Sequence, residues 1–186
     1  MPVSPELVLA WMLRVAPESG ARARPIAEGI ATAANEDERP LDAAATLVAV
    51  GFYESRFDLY AVSPASDPAE TVGVYQVWTK WLLFPASPEH QAKTALWLLR
   101  DSQRRCHSLA QYASGRCDAG LWEAHRREML ASKLEFPEFL EPREGPLLKR
   151  AWSWADLIAA DEATRAKMRE APVESCMICD DGGCDP

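Results

Sequence analysis

The sequence predicts a mainly α-helical domain of the α+β class, with one short β-hairpin set among the helices. Two observations lead there. Apolar residues recur at helical spacing through most of the chain, and twice a Ser-Pro-Glu start, at residues 4–6 and 87–89, opens such a stretch. A hydroxyl cap, a proline in the first turn and an acid beside it form a strong helix-start pattern. From Ala61 to Trp78 the pattern stops: Pro64, Pro68 and Gly73 punctuate it, and Val72, Val74 and Val77 favour extended backbone.

The elements follow in order. Leu7, Ala10, Trp11 and Val15 repeat at helical spacing after Ser4, and Pro17 and Gly20 close that helix. A second, weaker helix is expected from Pro25 to Asn35. The segment Leu41–Tyr53 is apolar on nearly every face, with only Asp42 and Thr46 polar, so it is expected to be the buried central helix. Ala92, Ala95, Leu96 and Leu99 form the buried stripe of the helix opened at Ser87. A short helix over 108–113 ends at Ser114-Gly115, and another spans about 119–132. Leu148, Ala151, Trp152, Ala155 and Ile158 mark a last helix, running on towards Ala166. The reading divides the chain into a domain over 1–169 and an acidic, cysteine-containing tail over 170–186. Leu47, Val50, Phe52, Leu96, Leu99 and Trp152 are expected in the core.

The chain of 186 residues suits one domain with a substantial core. A net charge of −8 argues against nucleic acid or an anionic membrane surface as the main partner. No apolar run is long enough to span a bilayer. Met1–Gly20 lacks a basic start and is interrupted by Glu6 and Arg14, so it is expected to be mature structure and not a signal peptide. The expected origin is therefore the cytoplasm, and the expected state a monomer.

Of the five cysteines, Cys106 and Cys117 are expected to be free thiols in a chain without a signal peptide. A bridge would need their Cα atoms within about 7 Å. Cys176, Cys179 and Cys184 have spacing that can hold zinc, but no histidine stands near to complete a closed site, so no metal is expected. Neither is any cofactor: the zinc-protease, P-loop, nucleophile-elbow and dinucleotide-binding motifs are all missing.

Glu54 is a candidate catalytic residue; the other reading of its position is a carboxylate that caps the helix end and faces water. On a helix its neighbours at i−3, i−4 and i−7 are Gly51, Val50 and Leu47, so it hangs at the C-terminal end of an apolar face. Poor solvation and the negative helix end both favour a protonated carboxyl, the form that a general acid requires.

Glu54-Ser55-Arg56-Phe57, then Ala61-Val62-Ser63, then Gly73-Val74-Tyr75-Gln76, then Tyr112-Ala113-Ser114-Gly115 together resemble the ordered motifs of soluble lytic transglycosylases and related lysozyme-like enzymes. The resemblance spans 41–115. It implies a lysozyme-like helical domain whose hairpin borders an active-site cleft, and an enzyme that cuts the MurNAc–GlcNAc bond of peptidoglycan. It makes Glu54 the acid and base and puts Ser55, Gln76 and Tyr112 in contact with substrate or catalytic groups. Three departures stand out: a longer stretch between Ser63 and Gly73, Ala113 where the family has Asn, and Val74-Tyr75 where it has Leu-Met. Tyr75 would offer an aromatic face to a sugar.

A transglycosylase needs one carboxyl, because the substrate's own 6-hydroxyl closes an anhydro ring. A hydrolytic lysozyme usually needs a second, for which Asp67 and Glu70 are the candidates. The one-carboxyl route is the expectation. The two-carboxylate hydrolase is an alternative, and so is a non-catalytic sugar-binding or structural module of a phage particle or secretion device. Without a signal peptide, delivery to the wall would fall to a phage or such a device.

Overall fold

The structure, a computed structural model, describes residues 2–63, 70–83 and 85–135. Asp67, the helix expected from 148, Trp152, the boundary at 169/170 and the cysteines at 176, 179 and 184 lie outside the described residues.

Helix α1 (Pro5–Val15) starts where Ser4 accepts a hydrogen bond from the Leu7 N–H. Its buried face is Val8, Trp11 and Met12, with Ala10 exposed. The face is thus rotated from the expected Leu7–Ala10–Trp11–Val15 stripe. Leu7–Trp11 is apolar throughout, so several stripes were available and packing against the next helix selects one. A 3₁₀ turn (Pro17–Arg22) leads into α2 (Ala23–Asn35), two residues earlier than expected. Central helix α3 (Pro40–Ser55) is buried without interruption from Ala43 to Phe52. It packs against α1 and α2 and against two later helices, which is why it has no polar face.

The chain then forms β1 (Val62–Ser63), β2 (Thr71–Val72) and β3 (Val77–Trp78), an antiparallel sheet in the order β1-β2-β3. A three-stranded sheet thus stands where one hairpin was expected. Helix α4 (Pro88–Cys106) is capped by Ser87 as expected and buries Ala92, Ala95, Leu96 and Leu99. Short α5 (Ala110–Ser114) ends at Gly115, which takes the left-handed conformation at φ 76°. Helix α6 (Leu121–Leu134) packs along α3. Leu47, Val50, Phe52, Leu96 and Leu99 are all buried. No described helix is long and apolar enough to cross a membrane.

Two close approaches depend on glycine. A Cβ on Gly29 of α2 would meet the Glu89 backbone nitrogen of α4 at 2.6 Å. One on Gly51 would lie 3.0 Å from Val74 and 3.1 Å from the Phe57 ring. Gly51 thus lets the β-turn over residues 73–76, between β2 and β3, settle on α3 one turn before Glu54.

Cys106 and Cys117 form a disulfide with Cα atoms 5.1 Å apart, which corrects the expectation of two free thiols. The tight turn after α4, with His107 left-handed at φ 54°, and the turn after Gly115 bring the two ends of the α5 segment together.

Candidate active site around Glu54

Glu54 lies in the last turn of α3. The helix ends abruptly: Arg56 and Phe57 are both left-handed, at φ 58° and 60°, and the N–H of Phe57 returns to the Gly51 carbonyl at 3.3 Å. Two consecutive non-glycine residues in this region carry backbone strain, each of the order of 1 kcal/mol. Burial of the Phe57 ring, which packs on Phe52, offsets it. The reversal leaves Glu54 and Ser55 at a sharp corner.

Ser55 joins that corner to the β-turn. Its hydroxyl donates to the Val74 carbonyl at 2.8 Å and accepts from the Asp58 N–H at 3.0 Å. The Gly73 N–H donates to the Ala61 carbonyl at 2.8 Å. Gln76, itself left-handed at φ 49°, donates to the Gly73 carbonyl at 3.0 Å and accepts from the Thr71 hydroxyl at 3.0 Å. The Tyr112 hydroxyl, from α5, donates to the Tyr75 carbonyl at 2.6 Å. Segments that stand far apart in sequence are therefore tied together at the end of α3. The side chains of Ser55 and Gln76 are engaged in hydrogen bonds within the protein.

Tyr75 corrects the sequence reading. It is only 1% exposed, so its ring offers no face to a sugar. Val74 precedes it in the turn and faces α3, and Gly73 admits α4 closely enough to seal the turn from that side. The Tyr75 hydroxyl has no hydrogen-bond partner among the described residues, and burial pushes its ionisation far above the ordinary tyrosine range. Burial, then the charge of Glu54 and the Tyr75 phenol, also raise Tyr112, and the opposing Arg127 charge does not cancel them. Tyr112 therefore remains a hydrogen-bond donor through neutral pH.

Glu54 does not stand against apolar surface alone, as the sequence suggested. Arg127 of α6 donates to its Oε1 from Nη2 at 2.6 Å and from Nε at 3.2 Å, and uses Nη1 on the Glu123 carbonyl at 2.6 Å. The Arg127 side chain is 10% exposed and that of Glu54 19%, so the pair is mostly shielded while solvent still reaches the carboxyl. Both bonds fall on Oε1; Oε2 accepts none among the described residues. Glu70 is exposed just before β2.

Sequence reasoning missed two residues of this cluster. Arg127 sits in the buried stripe of α6 with Ala124, Leu130 and Leu134. An arginine at a core-facing position signals a partner carboxylate, and that signal was legible. Gln91 is buried on α4; its Oε1 accepts from the Val74 N–H at 2.9 Å, and its Nε2 donates to Leu59 at 3.3 Å and Ala86 at 3.0 Å. Its only sequence signal is position, one residue before Ala92 on a face that turns out to be buried. No cluster of three or more metal-ligating side chains occurs among the described residues. Comparison of the chain with family models, with curated proteins and with solved structures gives no match.

Proposed function

We propose that this chain is a lysozyme-like glycosidase that cleaves the glycan strands of peptidoglycan, of the lytic-transglycosylase type, with Glu54 as general acid and base. The observation that supports the reading is the convergence at Glu54. The motif segments carrying Ser55, Val74–Gln76 and Tyr112 are hydrogen-bonded to one another at the corner where α3 presents a part-exposed carboxyl.

In this reading Oε2, which accepts no hydrogen bond among the described residues, carries the proton to the glycosidic oxygen as the C1–O bond breaks. The resulting carboxylate is held by Arg127. It then takes the proton of the sugar's 6-hydroxyl as that oxygen closes on C1 to form the anhydro ring. Tyr112 fixes the β-turn against α5, which holds the substrate side of the site in register with Glu54. The two-carboxylate hydrolase would instead rest on Asp67 or on exposed Glu70. The Cys106–Cys117 disulfide suits a protein that works outside the reducing cytoplasm.

One observation favours the non-catalytic module. A guanidinium already bonded to a carboxylate is a common structural lock, and Arg127 with Glu54 has that form. Purified peptidoglycan incubated with the protein separates the readings. The transglycosylase releases fragments with anhydro ends, lighter by one water than those of a hydrolase. Absence of any glycan cleavage would leave the structural module.

A further inference from the structure

We propose a second glycan-binding site on the α2–α4 face, separate from Glu54 and independent of whether Glu54 is catalytic. Its first component is a group of exposed indoles. Trp78, Trp81 and Trp97 are 46%, 50% and 52% exposed, where aromatic side chains are ordinarily far more buried. Trp81 and Trp97 are in contact at 5.7 Å between centroids, tilted by 54°. The Lys80 ammonium lies 3.9 Å from the Trp78 ring centre and 5.3 Å from that of Trp81, which holds the three rings in one patch.

Its second component adjoins the first. Trp97 also lines a groove of about 770 Å³ between α4 and the end of α2, within the range of roughly 300–1,000 Å³ usual for ligand sites. The groove lies at the start of α3, where Arg100 bonds Asp42; Glu54 lies at the other end of that helix. The rise from residue 42 to residue 54 is roughly 18 Å, at about 1.5 Å per residue.

The wall chemistry selects the occupant. Lys93 pairs with Glu36 at 2.7 Å and Arg100 with Asp37 at 2.8 Å. These charges compensate one another, so a polyanion such as a nucleic acid gains little here. An apolar peptide would bury the ion pairs against carbon and pay their desolvation. A neutral, hydroxyl-rich chain avoids both costs. Its hydroxyls can donate to the carboxylates and accept from the guanidinium, while the flat C–H faces of its sugar rings stack on the indoles. The occupant inferred is therefore an oligosaccharide segment running from the Trp81–Trp97 patch into the groove.

Calorimetric titration of the full chain with chitotetraose tests the site. Wild type should bind, and Trp97→Ala and Trp81→Ala should each weaken binding about tenfold. Leu121→Ala, on the exposed part of α6, should leave it unchanged. Circular dichroism of each variant secures the comparison; if Trp97→Ala misfolds, Trp81→Ala decides. No binding by wild type, or equal binding by wild type and the folded tryptophan variants, overturns the proposal. So does concentration-dependent self-association abolished by Trp97→Ala without glycan binding, which would make the patch an interface between copies. The dependence on Trp81 and Trp97, not wild-type binding alone, reports this site, and failure of Glu54 as a catalyst would leave that dependence unaffected.

Discussion

The Glu54–Arg127 pair joins two side chains 73 residues apart in sequence. Removing one partner leaves the other shielded and unpaired. Arg127→Met should therefore destabilise by about 2 kcal/mol, below the cost for a fully buried pair because solvent reaches both groups. Adding Glu54→Gln should recover part of that loss, since a neutral amide tolerates the site better than an orphaned carboxylate. Equilibrium urea unfolding of the single and double variants measures the coupling, and strict additivity would show that the pair contributes nothing. Sequence reasoning singled out Glu54 from its place at the end of an apolar helix and from the motif resemblance. It could not find the pairing, because nothing in the spacing of residues 54 and 127 reports that α6 runs beside α3. Tyr75 was misplaced for a related reason: an aromatic ring in a turn motif reads equally well as a ligand platform or as core, and only the packing decides.

At the scale of elements, the helices were legible because their starts carry local chemistry. Ser4 and Ser87 cap the helices they announce, and the all-apolar run of α3 left burial as its only arrangement. The sheet was less legible: its strands are two residues each, too short for a period-two pattern to register. A buried side chain from another element, Gln91 of α4, ties down the turn between β2 and β3. Gln91→Leu should strand the Val74 N–H and two carbonyls and cost about 2–3 kcal/mol, read as a lowered urea midpoint. The link before α3 is electrostatic. Burial alone would push the Asp37 carboxyl up, but hydrogen bonds from Arg100 and from the Arg39 backbone, with the charges of both arginines, bring it below the ordinary aspartate value. A carboxyl lowered in the folded state stabilises above its unfolded pKa and loses that stability as pH falls through the folded value. Wild type should thus be more stable than Asp37→Asn at pH 7, with the gap closing below about pH 4. A gap that persists unchanged into acid would show that the Asp37 charge is not what stabilises this link.

For the whole described region, the disulfide and the site are joined through one short segment. The Cys106–Cys117 bridge closes a loop that contains α5, and α5 carries Tyr112 to the β-turn. Cys106→Ser/Cys117→Ser should lower stability by about 3 kcal/mol on chain-entropy grounds, visible as a lower thermal midpoint than that of oxidised wild type; equal midpoints would show the bridge to be inconsequential. The pairing was not legible because eleven residues of separation fit a bridge and two free thiols equally well. The fold class, by contrast, followed from periodicity spread over the whole chain, which no single misread residue can undo. Turbidity clearing of purified peptidoglycan by wild type and Glu54→Gln, at matched folded concentration, decides whether Glu54 is the proposed general acid. Catalysis by Glu54 predicts clearing by wild type and a fall of about 10²–10⁴-fold in the variant; equal clearing by both proteins, or none by either, would contradict it.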